Sequence, residues 1–272
     1  NYLTNKIKDQ NLSFQTRKFA FFYLIEFLQK QDAPLSYKDF LDFLTHFLQK
    51  EEQTILGEVS NWQNSSNPTK KKFIHSLTVS FFRDHTIKNI NPKLKNIIDI
   101  NSRDEYSNST VLMDLIKTRD ITAVNKILKE GIDIHALNTY SYTALHLAVE
   151  NGDPDIVEIL LKYGANFDTK DNWGKTPAHL AVENRDKDIV EILLKYGANF
   201  DTKDNWGKTP AHLAVENRDK DIVEILLKYG ANFDTKDNWG KTVLDKAIQN
   251  KDNEIFDLIR NGAKFTKIHN IL

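Results

Sequence analysis

"DNWGKTPAHL" at 171–180 recurs unchanged at 204–213, and a third copy starts at 237 as "DNWGKT" before departing. The spacing is 33 residues. Carried outward, this period divides 105–269 into five blocks: 105–137, 138–170, 171–203, 204–236 and 237–269. The third and fourth are identical. A fixed period of this size marks a stacked array, in which each unit buries against its neighbours what it cannot bury alone.

Each inner block reads as turn, helix, helix, loop. Asp, Asn and Gly in "DNWGKT" supply the backbone angles of a tight turn. Thr176 opens a short helix, with Pro177 at the first helical position, where its missing N–H is harmless. Asp186 or Asp188 caps a second helix in which Ile189, Val190, Leu193 and Leu194 recur at helical spacing, and Gly197 ends it.

This pattern resembles the ankyrin repeat. Gly174-Lys-Thr-Pro-Ala-His-Leu-Ala181 and Leu193-Leu-Lys-Tyr-Gly-Ala198 carry the likeness, as do Gly207 to Ala214 and Leu226 to Ala231. The second block keeps Thr143-Ala-Leu-His146 and Leu160 to Ala165. The likeness covers about three fifths of the chain. It implies a five-repeat solenoid over 105–269; with the N-terminal helical bundle that the apolar patterning of 1–104 suggests, the whole chain is expected to be all-α.

Departures from the family pattern carry information. Its glycine at the end of the first helix is present as Gly152 but replaced by Arg185 and Arg218. A non-Gly residue left-handed there costs about 1–2 kcal/mol, and Asn184 and Asn217, one residue earlier, are the expected places for that conformation. The first block keeps Thr110 without the Pro and His, and the fifth has Val243 and Asp245 in their places. Terminal repeats lack a neighbour on one face, and the polar Gln249, Asn250, Lys251 and Asp252 suit that end.

Residues 1–104 have a different texture, with one glycine, Gly57, and 11 of the 16 Phe. A helix from Ser13 to about Lys30 is apolar nearly all round, as a central bundle helix would be. Ser36 to Asp39 forms a capping-box-like start to a second helix with Tyr37, Phe40, Leu41, Leu44, Phe47 and Leu48 on one stripe. A third helix turns Phe73, Leu77, Phe81 and Phe82 inward, and Pro92 opens a fourth.

Several function classes drop out. The chain has no cysteine, hence no disulfide, thiolate zinc site or Cys nucleophile. Clustered glycines for a phosphate cradle and a Gly-x-Ser-x-Gly elbow are missing. The longest apolar run, "FAFFYLIEFL" at 19–28, is too short to span a bilayer and contains Glu26. No basic region precedes it, as a signal peptide would need; the sequence begins at Asn1, so a targeting segment stays open. Residues 1–104 hold 15 basic and 11 acidic side chains and the remainder 22 and 27, offsets too small for nucleic-acid binding. The basic run "TKKKF" at 69–73 is the one weak signal for phosphate or lipid.

Two periodic rows remain. His146, His179 and His212 each follow a Thr by three residues. Neighbouring repeats sit ~8–10 Å apart, too far to share a metal held at ~2 Å. The resemblance instead makes these histidines scaffold groups that bond near the Thr hydroxyl and tie adjacent turns. His46, His75 and His85 show no ligand spacing and are read as surface or satisfied residues. The second row is aromatic: Tyr140, Trp173, Trp206 and Trp239 share one turn position, followed two residues on by Tyr142, Lys175, Lys208 and Lys241. In the family these turns are fingers over a concave face where partners dock. The aromatics are therefore expected to anchor a partner protein, with Glu183, Asn184, Glu216 and Asn217 as a polar rim. Packing of each Trp on its neighbouring finger is the competing role.

The chain is thus expected to be a monomeric, non-catalytic binding module or adaptor. No cofactor, metal or nucleic acid is expected. Its Lys-, Asn- and Ile-rich composition is associated with AT-rich genomes, which suits a secreted effector of an intracellular bacterium. Such a protein would act on a host protein in the cytoplasm or host cytosol. The alternative is enzymatic or toxin-like activity in 1–104, with the array selecting the target.

Overall fold

The computed structural model describes residues 99–104 and 106–269, with side chains through 262, and in the N-terminal part residues 71, 74–76, 78, 79 and 83. The latter seven are helical. The four-helix bundle expected over 1–104 otherwise lies outside the described residues.

The described array is all-α, and its helices are α1 (Val111–Lys117), α2 (Ile121–Lys129), α3 (Ala144–Glu150), α4 (Pro154–Lys162), α5 (Pro177–Glu183), α6 (Lys187–Lys195), α7 (Pro210–Glu216), α8 (Lys220–Lys228), α9 (Val243–Gln249) and α10 (Asn253–His269), with α3 packed on α4, α5 on α6, α7 on α8 and α9 on α10. Two compact units divide the chain. One takes in Thr122–Ile132 with the chain up to Leu115; the other comprises Ile116–Ile121 and Asp133 onward.

In the first unit Val111, Leu112, Met113 and Leu115 are fully buried. A backbone bridge joins Arg103 to Thr110. His75 is also buried there, held between Asp114 and Ser102, so it is a satisfied histidine.

In the second unit the first helices α3, α5, α7 and α9 pack on one another in order, and the second helices α4, α6, α8 and α10 form a parallel layer. The periodic apolar rows seal the space between. Ala181, Val182, Ile189, Val190 and Leu193 are without solvent exposure, as are their copies 33 residues on. Each buried Ile, Val or Leu stabilises the stack by ~1.5–3 kcal/mol.

Local signals set the helix ends. Thr143, Thr176, Thr209 and Thr242 are extended N-caps of the first helices. Asp186, rather than Asp188, caps the second helix, accepting from the Ile189 N–H at 3.1 Å. Gly197, at φ +86°, follows the helix end.

The strained position is the arginine. Arg185 and Arg218 adopt φ of +58° and +55°, whereas Asn184 and Asn217 are ordinary helical C-caps at φ −75° and −73°. The expectation that Asn absorbs the strain is thereby corrected. The physical reason is that both side chains are committed. Asn184 Nδ2 donates to Val149 O and Asn217 Nδ2 to Val182 O, each at 3.2 Å. Arg185 in turn donates to Asn217 O at 3.0 Å, and Arg218 to Asn250 O at 3.3 Å. A guanidinium thus reaches forward into the next repeat, which the glycine of the family pattern cannot do.

This arrangement separates two substitutions. Arg185→Gly relieves the left-handed strain while losing the strut; Arg185→Ala loses the strut and keeps the strain. The Ala variant should therefore be the less stable of the two by about 1 kcal/mol in urea unfolding.

Candidate functional site: an aromatic finger edge

The third, fourth and fifth fingers are each built on a buried carboxylate. Asp171 Oδ1 accepts from the backbone N–H of Trp173 and of Lys175, both at 2.8 Å, and Asp171 N–H donates to Lys175 O at 2.8 Å. Gly174 closes the turn onto Asp171 O at 3.0 Å. Asp204 and Asp237 repeat the arrangement. Asn138 serves the second block through its Oδ1, with Ser141 left-handed where the others have Gly.

Consecutive fingers are bonded edge to edge. Asn172 N–H donates to Tyr140 O, Asn205 N–H to Trp173 O and Asn238 N–H to Trp206 O, at 3.0–3.2 Å. The same asparagines donate Nδ2 to Thr139 O, Asn172 O and Asn205 O at 3.0–3.1 Å. The fit leaves no room for a side chain at the glycines. A Cβ on Gly174 or Gly207 would lie 2.4 Å from the next asparagine's Oδ1, while at Gly240, on the last finger, it meets nothing within 4 Å.

The histidines hold this edge to the helices beneath it. His146, His179 and His212 are fully buried. Nδ1 accepts from the N-cap Thr N–H at 3.1–3.2 Å, which puts the proton on Nε2. Nε2 then donates to the carbonyl of Lys175, Lys208 and Lys241 in the following finger, at 3.2–3.3 Å. Burial pushes all three histidines below the usual imidazole range, His179 down to about 4.

The aromatic row stays in water. Tyr140, Trp173, Trp206 and Trp239 are 54, 42, 40 and 61% exposed. Tyr140 and Trp173 stack at 6.3 Å with a 15° tilt. The rings are thus neither sealed nor independent. Lys175 Nζ lies 6.0 Å from the Trp206 ring and Lys208 Nζ 5.9 Å from the Trp239 ring. Lys175 is also paired with Glu183 at 2.6 Å and Lys208 with Glu216 at 2.7 Å. Of the expected rim, Glu183 and Glu216 therefore hold the fingers' own lysines, and Asn184 and Asn217 tie neighbouring helices. Lys241, on the last finger, is exposed.

One residue escaped the sequence reading. Lys246 stands where the second, third and fourth blocks have Leu147, Leu180 and Leu213. Its ammonium lies 3.0 Å from Asp237 Oδ2, an ion pair off the angle of an aligned hydrogen bond, 3.4 Å from Glu216 and 5.5 Å from the Trp239 ring. Burial pushes Lys246 down, but the two carboxylates more than offset this and raise it. The signal was present as a break in an apolar row.

Among the described residues no group of His, Asp or Glu is placed to hold a metal, and no helix is long and apolar enough to cross a membrane. Paired helices in two layers, joined along one edge by bonded fingers, define a helical repeat scaffold. The family model for ankyrin repeats, in three copies, matches residues 112–204 and again 197–269. The chain belongs to the ankyrin-repeat family, and its array is a protein–protein interaction module. No curated protein matches the sequence.

Two outcomes follow from this geometry. Gly207→Ala and Gly240→Ala share the strain of a positive φ, about 1–2 kcal/mol, but only the former pushes a neighbouring finger away. Gly207→Ala should therefore lower the urea midpoint further than Gly240→Ala. The histidines set a pH dependence. The unfolded chain binds protons at the ordinary 6.5, the folded chain at about 4 for His179. Stability is fully present above pH 6.5 and declines as pH falls towards 4. His179→Gln, which keeps a capping acceptor, should flatten the part of that slope between pH 7 and 5.

Proposed function

We propose that the array grips its partner protein through the finger edge, with Tyr140, Trp173, Trp206 and Trp239 as anchors. The observation that carries this reading is a register of four large, partly exposed aromatic rings on a backbone-bonded edge. Contiguous exposed aromatic surface marks contact sites, and aromatics dominate binding hot spots. Rigid fingers lose little freedom on association, which favours affinity. We assign Tyr142, Lys175, Lys208, Lys241, Glu183, Asn184, Glu216 and Asn217 to the same proposed contact surface. The Lys-, Asn- and Ile-rich composition supports a host protein as the target. With residues 1–104 docking a second protein, the chain works as an adaptor.

The test is affinity capture from cell lysate with the intact chain and with Trp173→Ala/Trp206→Ala. The double variant should stay folded and lose specific partners. Capture of the same proteins by both would reduce the aromatics to a structural role.

A second reading, hydrolytic activity towards the N-terminal side, has one observation in its favour. Ser102 Oγ lies 3.2 Å from His75 Nδ1, whose Nε2 meets Asp114 Oδ2 at 2.7 Å. Such a chain can activate a serine. Against it, Ser102 N–H is committed to Asp99 O at 3.0 Å, and the imidazole is 4% exposed. Labelling of Ser102 by a fluorophosphonate probe would favour this reading, and an unlabelled serine would remove it.

A further inference from the structure

We propose that the second and third fingers form a seat for a basic side chain, lysine or arginine, of the partner protein. The proposal rests on the binding edge inferred above and assigns its chemistry.

The later repeats show what the seat accepts. Along the edge, Trp206 and Trp239 each receive an ammonium from the finger before them, and that ammonium is held by a glutamate at the end of a first helix. Lys175 sits by Trp206 and Glu183; Lys208 sits by Trp239 and Glu216. At the last finger Lys246 adds a second cation, which meets the buried Asp237. Aromatic faces and carboxylates both attract cations, and desolvation strengthens the pull.

At Trp173 the same frame lacks its cation. The position of Lys175 and Lys208 is held by Tyr142, and the position of Lys246 by Leu180. The equivalent glutamate, Glu150, is exposed, and no described lysine or arginine pairs with it. Asp171, 6% exposed, keeps a buried Oδ2 without a hydrogen-bond partner. Aromatic walls replace the missing lysine. Tyr142 meets Trp173 edge-on at 6.4 Å and Tyr140 at 6.4 Å, while Tyr140 stacks on Trp173. Burial pushes the Tyr142 hydroxyl up to about 12, and the charges of Glu150, Asp171 and Glu183 push the same way. The environment is negative and rimmed by partly exposed aromatics, with Glu150 open to water and Asp171 beneath. A cation supplied from outside completes the pattern that Lys175 and Lys208 complete from within.

The test titrates the intact chain with an acetylated tetralysine peptide and follows the Trp173 indole N–H resonance by NMR. Saturable shifts are expected. Tyr142→Lys gives the second finger the lysine of its successors, so it keeps a finger that this fold already builds, and it fills the seat from within. It should weaken binding by about tenfold. Tyr163→Lys makes the same charge change at the end of α4 and should alter binding by less than about twofold. Glu150→Gln should weaken binding without moving the unfolding midpoint. Equal weakening by Tyr142→Lys and Tyr163→Lys would mean diffuse charge attraction and would overturn the seat. So would unchanged binding in Tyr142→Lys and Glu150→Gln. Tighter binding of spermine than of the peptide would overturn the choice of a protein side chain. Lysate capture that depends on Trp206 while Tyr142→Lys changes nothing would leave the binding edge standing and remove the seat alone.

Discussion

One buried imidazole in each of the three inner repeats joins the two levels of this structure. It accepts from the N-cap threonine of its own helix and donates to a carbonyl of the next finger. Helix capping and repeat-to-repeat registration therefore depend on a single neutral tautomer. Both ring nitrogens are used, so burial leaves no polar atom unsatisfied. Burial keeps the His179 imidazole neutral, although the nearby Asp204 charge pulls the other way.

That linkage has a direction, and the C-terminal end of the array reflects it. The ring reaches towards the C-terminal neighbour, so the last repeat has nothing to reach. Asp245 occupies the histidine position there and performs only the local half: it accepts from Thr242 N–H at 2.8 Å, and its own N–H donates to the threonine hydroxyl at 3.2 Å. At the other end Met113 takes the position, with its sulfur 3.5 Å from Thr110 N. Neither terminal residue is a general polar substitution. Each keeps the capping half of the contact and lacks the forward one. Gly240 follows the same logic, since no following finger crowds its Cβ.

The period and the caps were legible because they are set by local chemistry repeated at a fixed phase, whereas the scaffold role of His146, His179 and His212 came from the resemblance to the ankyrin repeat. Thr, Pro, Asp and Gly state where helices begin and end, and repetition removes the ambiguity of any single copy. Features decided between repeats were not legible. The left-handed residue is Arg185 because Asn184 is tied to Val149 and the guanidinium finds a carbonyl one repeat on. A reading confined to one block favours Asn there. Within a single repeat, Lys175 and Glu183 also look like separate surface residues in sequence, eight positions apart, yet the fold brings them to 2.6 Å. The aromatic row was legible as a row, but not its mixture of exposure and mutual contact, which depends on finger spacing. The bundle inferred over 1–104 has no comparable repetition to support it.

A repeat array makes its own controls. Two identical blocks define what the finger edge does when nothing intervenes: lysine to the next tryptophan, glutamate to the lysine, asparagine to two carbonyls. Deviations can then be judged against that standard. Tyr142 is such a deviation. Exchanging lysine for tyrosine removes a cation, releases Glu150 and adds a ring, all without altering the backbone bonds that fix the finger, because those come from Asn138 and Asn172. The side chains at this edge can therefore change while the scaffold does not, which is the separation of recognition from stability that stacked repeats permit.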